Sequence, residues 1–238
     1  MDETGKTGEE SAETGKRVGR VTERGRVAED RLKIWETLFQ RALELIDSVS
    51  YAGITLDDWS FGGGTVLMRR HHHRFSKDVD IFVSDPQYLG YLTPRLNTKA
   101  ESLTTKYLEQ ANSLKLFFPE GEIDFVASAP LTKDPTVTEE LFSRPVQVET
   151  STEIVAKKVW HRGAEFTARD IFDLAMVTEQ EPNALRKIES VLHDRRDTIL
   201  QRIASQDAFL RDTFAELDVL DYRRSFDECI GLVKKALG

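Results

Sequence analysis

The stretch Trp59 to Val83, WSFGGGTVLMRRHHHRFSKDVDIFV, constrains the fold more than any other part of the chain. A short apolar strand at Trp59 to Phe61 runs into three glycines, a helix opens near Thr65, and a second strand, DVDIFVSD, ends at the turn Asp85-Pro86. Strand, tight turn, helix and strand in that order demand a sheet with a helix packed on it. Asp78 and Asp80 stand at i and i+2 within the second strand, so both carboxylates project to one face, where their oxygens can converge on a hard cation. A third acid, Asp124, lies between Ile123 and Phe125 in EIDFV. If that strand pairs beside the first, the three carboxylates form a cluster too negative to stand without cations, and magnesium is the natural guest. The glycines supply the other half of such a site, because a turn with little side chain lets backbone N–H groups and a helix N-terminus approach a polyphosphate. Thr65 would add a hydroxyl.

The rest of the chain supplies the frame. Leu32, Trp35, Phe39, Ala42, Ile46 and Val49 trace one face of an amphipathic helix that Gly53 closes. Residues 87 to 110 read as mostly helical, interrupted at Pro94. SLKLFFPEGEIDFVAS reads as a hairpin turning at Pro119-Glu120-Gly121, and RPVQVET as a further strand. After Thr150 the pattern is helical: STEIVAKKVWHRG starts with capping residues and stops at Gly163, and TARDIFDLAMVTEQEP starts at the cap Thr167 and ends before Pro182. Residues 184 to 237 hold two to four more helices. The expected organisation is a charged, unstructured tail over residues 1–28, an α/β core over 29–150 and a helical region over 151–238.

Composition sets outer limits. With 33 Lys+Arg against 41 Asp+Glu the formal charge is -8, so an acidic partner must be met by a local patch rather than by net charge. The single cysteine, Cys229, makes no internal disulfide, and no apolar run is long enough to cross a bilayer. The expectation is a cytoplasmic protein without a membrane segment.

The string FGGGTVLMRRHHHRFSKDVDIF resembles the signature of the polymerase-β-like nucleotidyltransferase superfamily: a glycine pair, here Gly63 and Gly64, thirteen residues, then Asp-Val-Asp-Ile at 78–81. With EIDF, EIVAKK and ARDIFDLA it is similar, more narrowly, to the AbiEii/AbiGii toxins, the nucleotidyltransferase component of type IV toxin–antitoxin and phage-abortive systems. The resemblance implies a mixed sheet flanked by helices, an α+β core, followed by a helical C-terminal region. It implies transfer of a nucleotide from an NTP to an acceptor such as the tRNA 3′ end, under restraint by a cognate antitoxin. Two Mg²⁺ ions would be held by Asp78, Asp80 and Asp124, with Asp124 as the base for the acceptor hydroxyl. Gly63, Gly64 and Thr65 would hold the triphosphate, with Ser76 at the edge. Lys158, or its neighbour Lys157, would contact phosphate, and Arg169 and Asp170 would reach back to the nucleotide.

His71, His72 and His73 are consecutive and would point in different directions, so they read as a solvated basic rim with Arg69, Arg70, Arg74 and Lys77, not as a metal site. Three other readings stay open on the residues alone: a nucleotidyltransferase acting on a small molecule, a non-catalytic nucleotide-binding module, and a structural protein with chance motifs.

Overall fold

The computed structural model describes Met1 and residues 30–238, and the expected charged tail over 1–28 otherwise lies outside the described residues. Helix α1, Ile34–Ser48, carries the anticipated stripe. Trp35, Leu38, Phe39, Ala42, Leu45 and Ile46 are buried, and a 3-10 turn over Val49–Ala52 ends at Gly53 in the left-handed region, at φ 71°. The next elements are β1, Trp59–Gly62; α2, Gly63–His71; β2, Val79–Val83; α3, Gln87–Leu92; and α4, Thr98–Leu103. Then follow β3, Tyr107–Glu109; β4, Ser113–Phe117; β5, Glu122–Ala127; β6, Thr136–Leu141; and β7, Arg144–Glu149.

The strands form one mixed seven-stranded sheet in the order β3-β4-β5-β2-β1-β7-β6. The β2–β5 and β1–β7 pairs are parallel, and the other neighbours are antiparallel. Alternation along the strands sorts the two faces. Phe61, Val79, Ile81, Val83, Leu114, Leu116, Ile123, Phe125, Val146 and Val148 are fully buried, and α1 packs on this side, with Phe39 against Phe61 at a ring separation of 4.5 Å. The opposite face presents Asp80 and Phe82 from β2, Asp124 and Val126 from β5, and Glu149 from β7.

The helical half begins where the sheet ends. Helix α5, Ser151–Arg162, is capped by Thr150, whose side chain accepts from the Glu153 N–H. Helix α6, Ala168–Gln180, has a capping box between Thr167 and Asp170. It is followed by α7, Pro182–Arg186; α8, Glu189–Ser205; α9, Asp207–Ala215; and α10, Phe226–Leu237. Phe172 of α6 is the hub, meeting the rings of Phe214 and Tyr222 edge-on at 5.6 and 5.3 Å. One buried cluster runs through both halves. No described helix is long and apolar enough to cross a membrane.

The mixed α/β architecture with a helical C-terminal region is as expected from the sequence, with three local corrections. Helix α2 starts at Gly63, two residues before Thr65. The segment 87–110 is two short helices followed by strand β3, because Tyr107 to Glu109 pair with β4 at the sheet edge. Strand β6 was not anticipated. It is half exposed, and its turn into β7 uses Phe142 and Ser143, both at positive φ, without the Gly or Asn that ordinarily marks such a hairpin.

Candidate active site

The parallel register sets Asp80 directly beside Asp124, on the face opposite α1. Gly63 makes the close approach possible. It sits at φ 73°, and a Cβ there would lie 1.9 Å from Asp80 Oδ2. Gly62 does the same for another acid, since its Cβ would lie 2.1 Å from Glu149 Oε2. The glycine triplet thus makes room for carboxylates as well as opening the N-terminus of α2, which has no side-chain cap.

These groups line a cavity of about 380 Å³ between the sheet and α5. Gly63, Gly64, Asp80, Lys115, Asp124 and Glu149 form the sheet side, and Lys157, Lys158, His161 and Arg162 the helix side. Burial, then repulsion from Asp124, pushes the Asp80 carboxyl up to about 6, against the pull of Lys158 and Arg162. Burial also raises Asp124, although Lys115 opposes it. Burial raises Glu149 to about 7 despite the Lys157 ammonium 2.6 Å from its Oε1, and its Oε2 has no hydrogen-bond partner.

Asp78 stands apart from its two expected companions. It precedes β2, is not part of the cavity wall, and its Oδ1 accepts the Glu122 N–H at 3.0 Å. Among the described residues no group of three His, Cys, Asp or Glu side chains is assembled as a metal site. Thr65 and Ser76 are also outside the cavity wall. The buried Thr65 hydroxyl donates to Asp78 O at 2.5 Å and lies 3.1 Å from Ser76 Oγ, tying α2 to the entry of β2.

On the helix side the doublet of lysines divides. Lys158 Nζ lies 2.8 Å from Asp170 Oδ1 and 3.2 Å from Asp173 Oδ2, whereas Lys157 is buried on Glu149 and over the Phe82 ring at 3.8 Å. Burial would raise Asp170, but Lys158 and Arg162 outweigh it and hold the carboxyl below its ordinary value. Arg169 is exposed and not part of the cavity wall, which Arg162 lines instead.

The basic rim expected around the histidines is a correction. Helix α2 ends at His71, its C-cap His72 is in the left-handed region at φ 47°, and the chain then drops into the interface with α6. His73 and Arg74 are 0% and 4% exposed. Arg74 grips Asp173 through Nε and Nη2, each at 2.7 Å, and His73 Nε2 lies 2.8 Å from the same carboxylate. Burial acts to raise Asp173, but Arg74, Lys158 and His73 together hold it well below the ordinary range. Arg69 and Arg70 pair with Glu139 at 3.0 and 2.9 Å. His71 bonds Ser151 and Glu181, and only His72 is exposed.

Sequence reasoning passed over Glu149, Arg162 and Asp173 as a buried anchor. The signal for Glu149 was present: in RPVQVE, Val146 and Val148 face the core, so Glu149 must face the other way.

A search among curated protein sequences finds no match. Solved structures of similar shape include JHP933 from Helicobacter pylori, at 12% identity and TM-score 0.47, covering 91% of each chain. Another is MenT4, a nucleotidyltransferase toxin from Mycobacterium tuberculosis H37Rv, at 17% identity and TM-score 0.47, covering 90% of this chain and 86% of that one. The antibiotic-resistance factor ANT(2″)-Ia aligns at 13% identity and TM-score 0.45, covering 73% and 97%. The model of the family described as nucleotidyl transferase AbiEii toxin, type IV toxin–antitoxin system, matches residues 52–236. The chain therefore belongs to the AbiEii nucleotidyltransferase toxins of type IV toxin–antitoxin systems.

Proposed function

We propose that the chain moves a nucleotide from an NTP to an RNA acceptor, with the tRNA 3′ end as the first candidate, in a Mg²⁺-dependent reaction restrained by a cognate antitoxin. In this reading residues 29–150 are the catalytic core and 151–238 the helical region that closes over it. The observation that carries the reading is the Asp80–Asp124 pair beside the glycine turn, facing Lys158 across one cavity.

The donor set fits a hard divalent cation. It offers oxygen alone, Gly63 lets the Asp80 carboxylate lie directly against the glycine turn, and burial, followed by repulsion from Asp124, raises the Asp80 carboxyl, a cost that a bound cation would relieve. Asp80 and Asp124 would hold the ion, with Asp78 close behind. Divalent ions bound there would stabilise the attacking and departing oxygens of an in-line displacement at the α-phosphate. The protein's own groups do the rest. The N–H groups of Gly63 and Gly64 at the start of α2 would bind the phosphates. Lys158, fixed by Asp170 and Asp173, would neutralise charge on the departing pyrophosphate, and Asp124 would take the proton of the acceptor hydroxyl.

The test is incubation with each of the four labelled NTPs and total RNA, in Mg²⁺ or in EDTA, with Asp80→Asn as control. Label on RNA that needs both Mg²⁺ and Asp80 supports the reading. Label confined to small molecules overturns the RNA acceptor, and no label with any NTP overturns the reading as a whole.

A further inference from the structure

The cations around the cavity are unevenly committed. On the helix side Lys158 is held by Asp170 and Asp173, Lys157 by Glu149, and Arg162 lies 3.6 Å from Asp170. None of these makes an ion pair with Asp78, Asp80, Glu122 or Asp124 among the described residues. On the sheet side Lys115 of β4 stands opposite Asp124 in the antiparallel register. Its Nζ lies 2.9 Å from Asp124 Oδ2 and 2.5 Å from Glu122 Oε2, and it lines the same cavity as Asp80. Among the described residues Lys115 is therefore the one cation ion-paired with any of the four acids Asp78, Asp80, Glu122 and Asp124.

This arrangement accounts for the absence of an assembled three-acid group. One Asp124 oxygen is covered by an ammonium, and the Asp78 carboxylate is drawn to the Glu122 N–H. Lysine suits a replaceable occupant, since its charge sits on a flexible stem with three rotatable donors. Glu122 gives it a second seat. It precedes Asp124 by two residues on the same face, and its side chain is 36% exposed.

We propose that Lys115 is the resident counter-ion of the catalytic acids: it holds Asp124 in the metal-free protein, and releases Asp124 while keeping Glu122 when a divalent cation is seated on Asp80 and Asp124. The inference rests on the nucleotidyltransferase reading of the acid pair. It makes Lys115 a positioning residue that sets the threshold for metal loading.

The experiment is calorimetric titration of Mn²⁺ into nucleotide-free protein, for wild type, Lys115→Met, Lys115→Arg, Glu122→Gln and Asp80→Asn, with thermal melts to verify folding. Lys115→Met should bind Mn²⁺ about tenfold tighter than wild type, a change equivalent to about 1.4 kcal/mol. Lys115→Arg keeps the charge and offers a fork to both carboxylates, so it should bind no tighter than wild type. Glu122→Gln removes the second seat, leaves Lys115 on Asp124 and should weaken binding. A purely structural role for Lys115 would move all three in one direction. Equal or weaker affinity in Lys115→Met, with Asp80→Asn still abolishing binding, overturns the counter-ion role and leaves the active site standing. If Lys115→Met fails to fold, tighter binding in Lys115→Arg than in wild type overturns it. Mn²⁺ binding that is absent in wild type, or indifferent to Asp80→Asn, overturns both.

Discussion

Gly63 and Asp80 are in such close contact that a single methyl group on the glycine would occupy the space of the Asp80 carboxylate, 1.9 Å from Oδ2. The glycine is also at φ 73°, where an L side chain adds a backbone penalty of about 1–2 kcal/mol. Gly63→Ala should therefore lower the melting temperature by several degrees and displace Asp80, so that turnover falls in step. Gly231 in α10 is the contrast, because nothing lies within 4 Å of its Cβ position. Gly231→Ala should raise stability by about 0.5–1 kcal/mol and leave turnover untouched. Melting curves and steady-state rates on the two variants check both signs.

The Asp80–Asp124 pair sets function against stability. Burial first, and then repulsion from the neighbouring Asp124, push the Asp80 carboxyl up to about 6. Asp80→Asn should abolish nucleotidyl transfer, by on the order of 10²–10³-fold or more. In EDTA at pH 8 the same variant should melt higher than wild type, since it removes a charge that the metal-free fold tolerates poorly. A lower melting temperature in EDTA would show that Lys115 and the helix-side cations already compensate the pair.

Both halves of that site were legible in the sequence, because strand alternation is local. Asp124 between Ile123 and Phe125 had to share a face with Asp80 once β2 and β5 paired. The cap at Thr167 was legible because capping is local too, whereas the cap of α5 is Thr150, one residue before the Ser151-Thr152-Glu153 run that reads as capping residues. What escaped depends on partners far along the chain. His73 and Arg74 look solvated beside Arg69 and Arg70, but their partner Asp173 lies about a hundred residues on. Thr65 looks like a phosphate ligand until the carbonyl of Asp78 claims its hydroxyl. Strand β6 stayed hidden because Phe142 and Ser143 turn the chain with no residue that advertises the turn.

Among the acids of the described residues, Asp173 should be the costliest to remove. It is fully buried and accepts from Arg74 and His73 while facing Lys158. Asp173→Ala would leave Arg74 buried without its partner, a loss of about 3–5 kcal/mol. That corresponds to a melting temperature lower by about 10 °C for a chain of this size. Turnover should fall less than in Lys158→Met, because Asp170 still holds Lys158. The folded Asp173 carboxyl lies well below its ordinary value near 3.8, so its contribution is present above that value and is lost as pH falls through the folded one. Wild type and Asp173→Asn should therefore converge in stability in strong acid.

Glu149 should give the opposite pH signature. Its folded carboxyl titrates near 7 against about 4.5 in the open chain, so the folded state holds the extra proton between those values. Stability from this group is complete below about 4.5 and is lost as pH rises through 7. Glu149→Gln imitates the protonated form at every pH and leaves Lys157 with Glu153, 3.7 Å away. The difference in melting temperature, variant minus wild type, should rise by a few degrees between pH 5 and pH 8. Other titrating groups, including His73 and Asp80, are common to both proteins and cancel in that difference. A difference that stays flat across the range would mean that Lys157 keeps Glu149 ionised throughout, and that the pair is an ordinary buried salt bridge pinning α5 to β7.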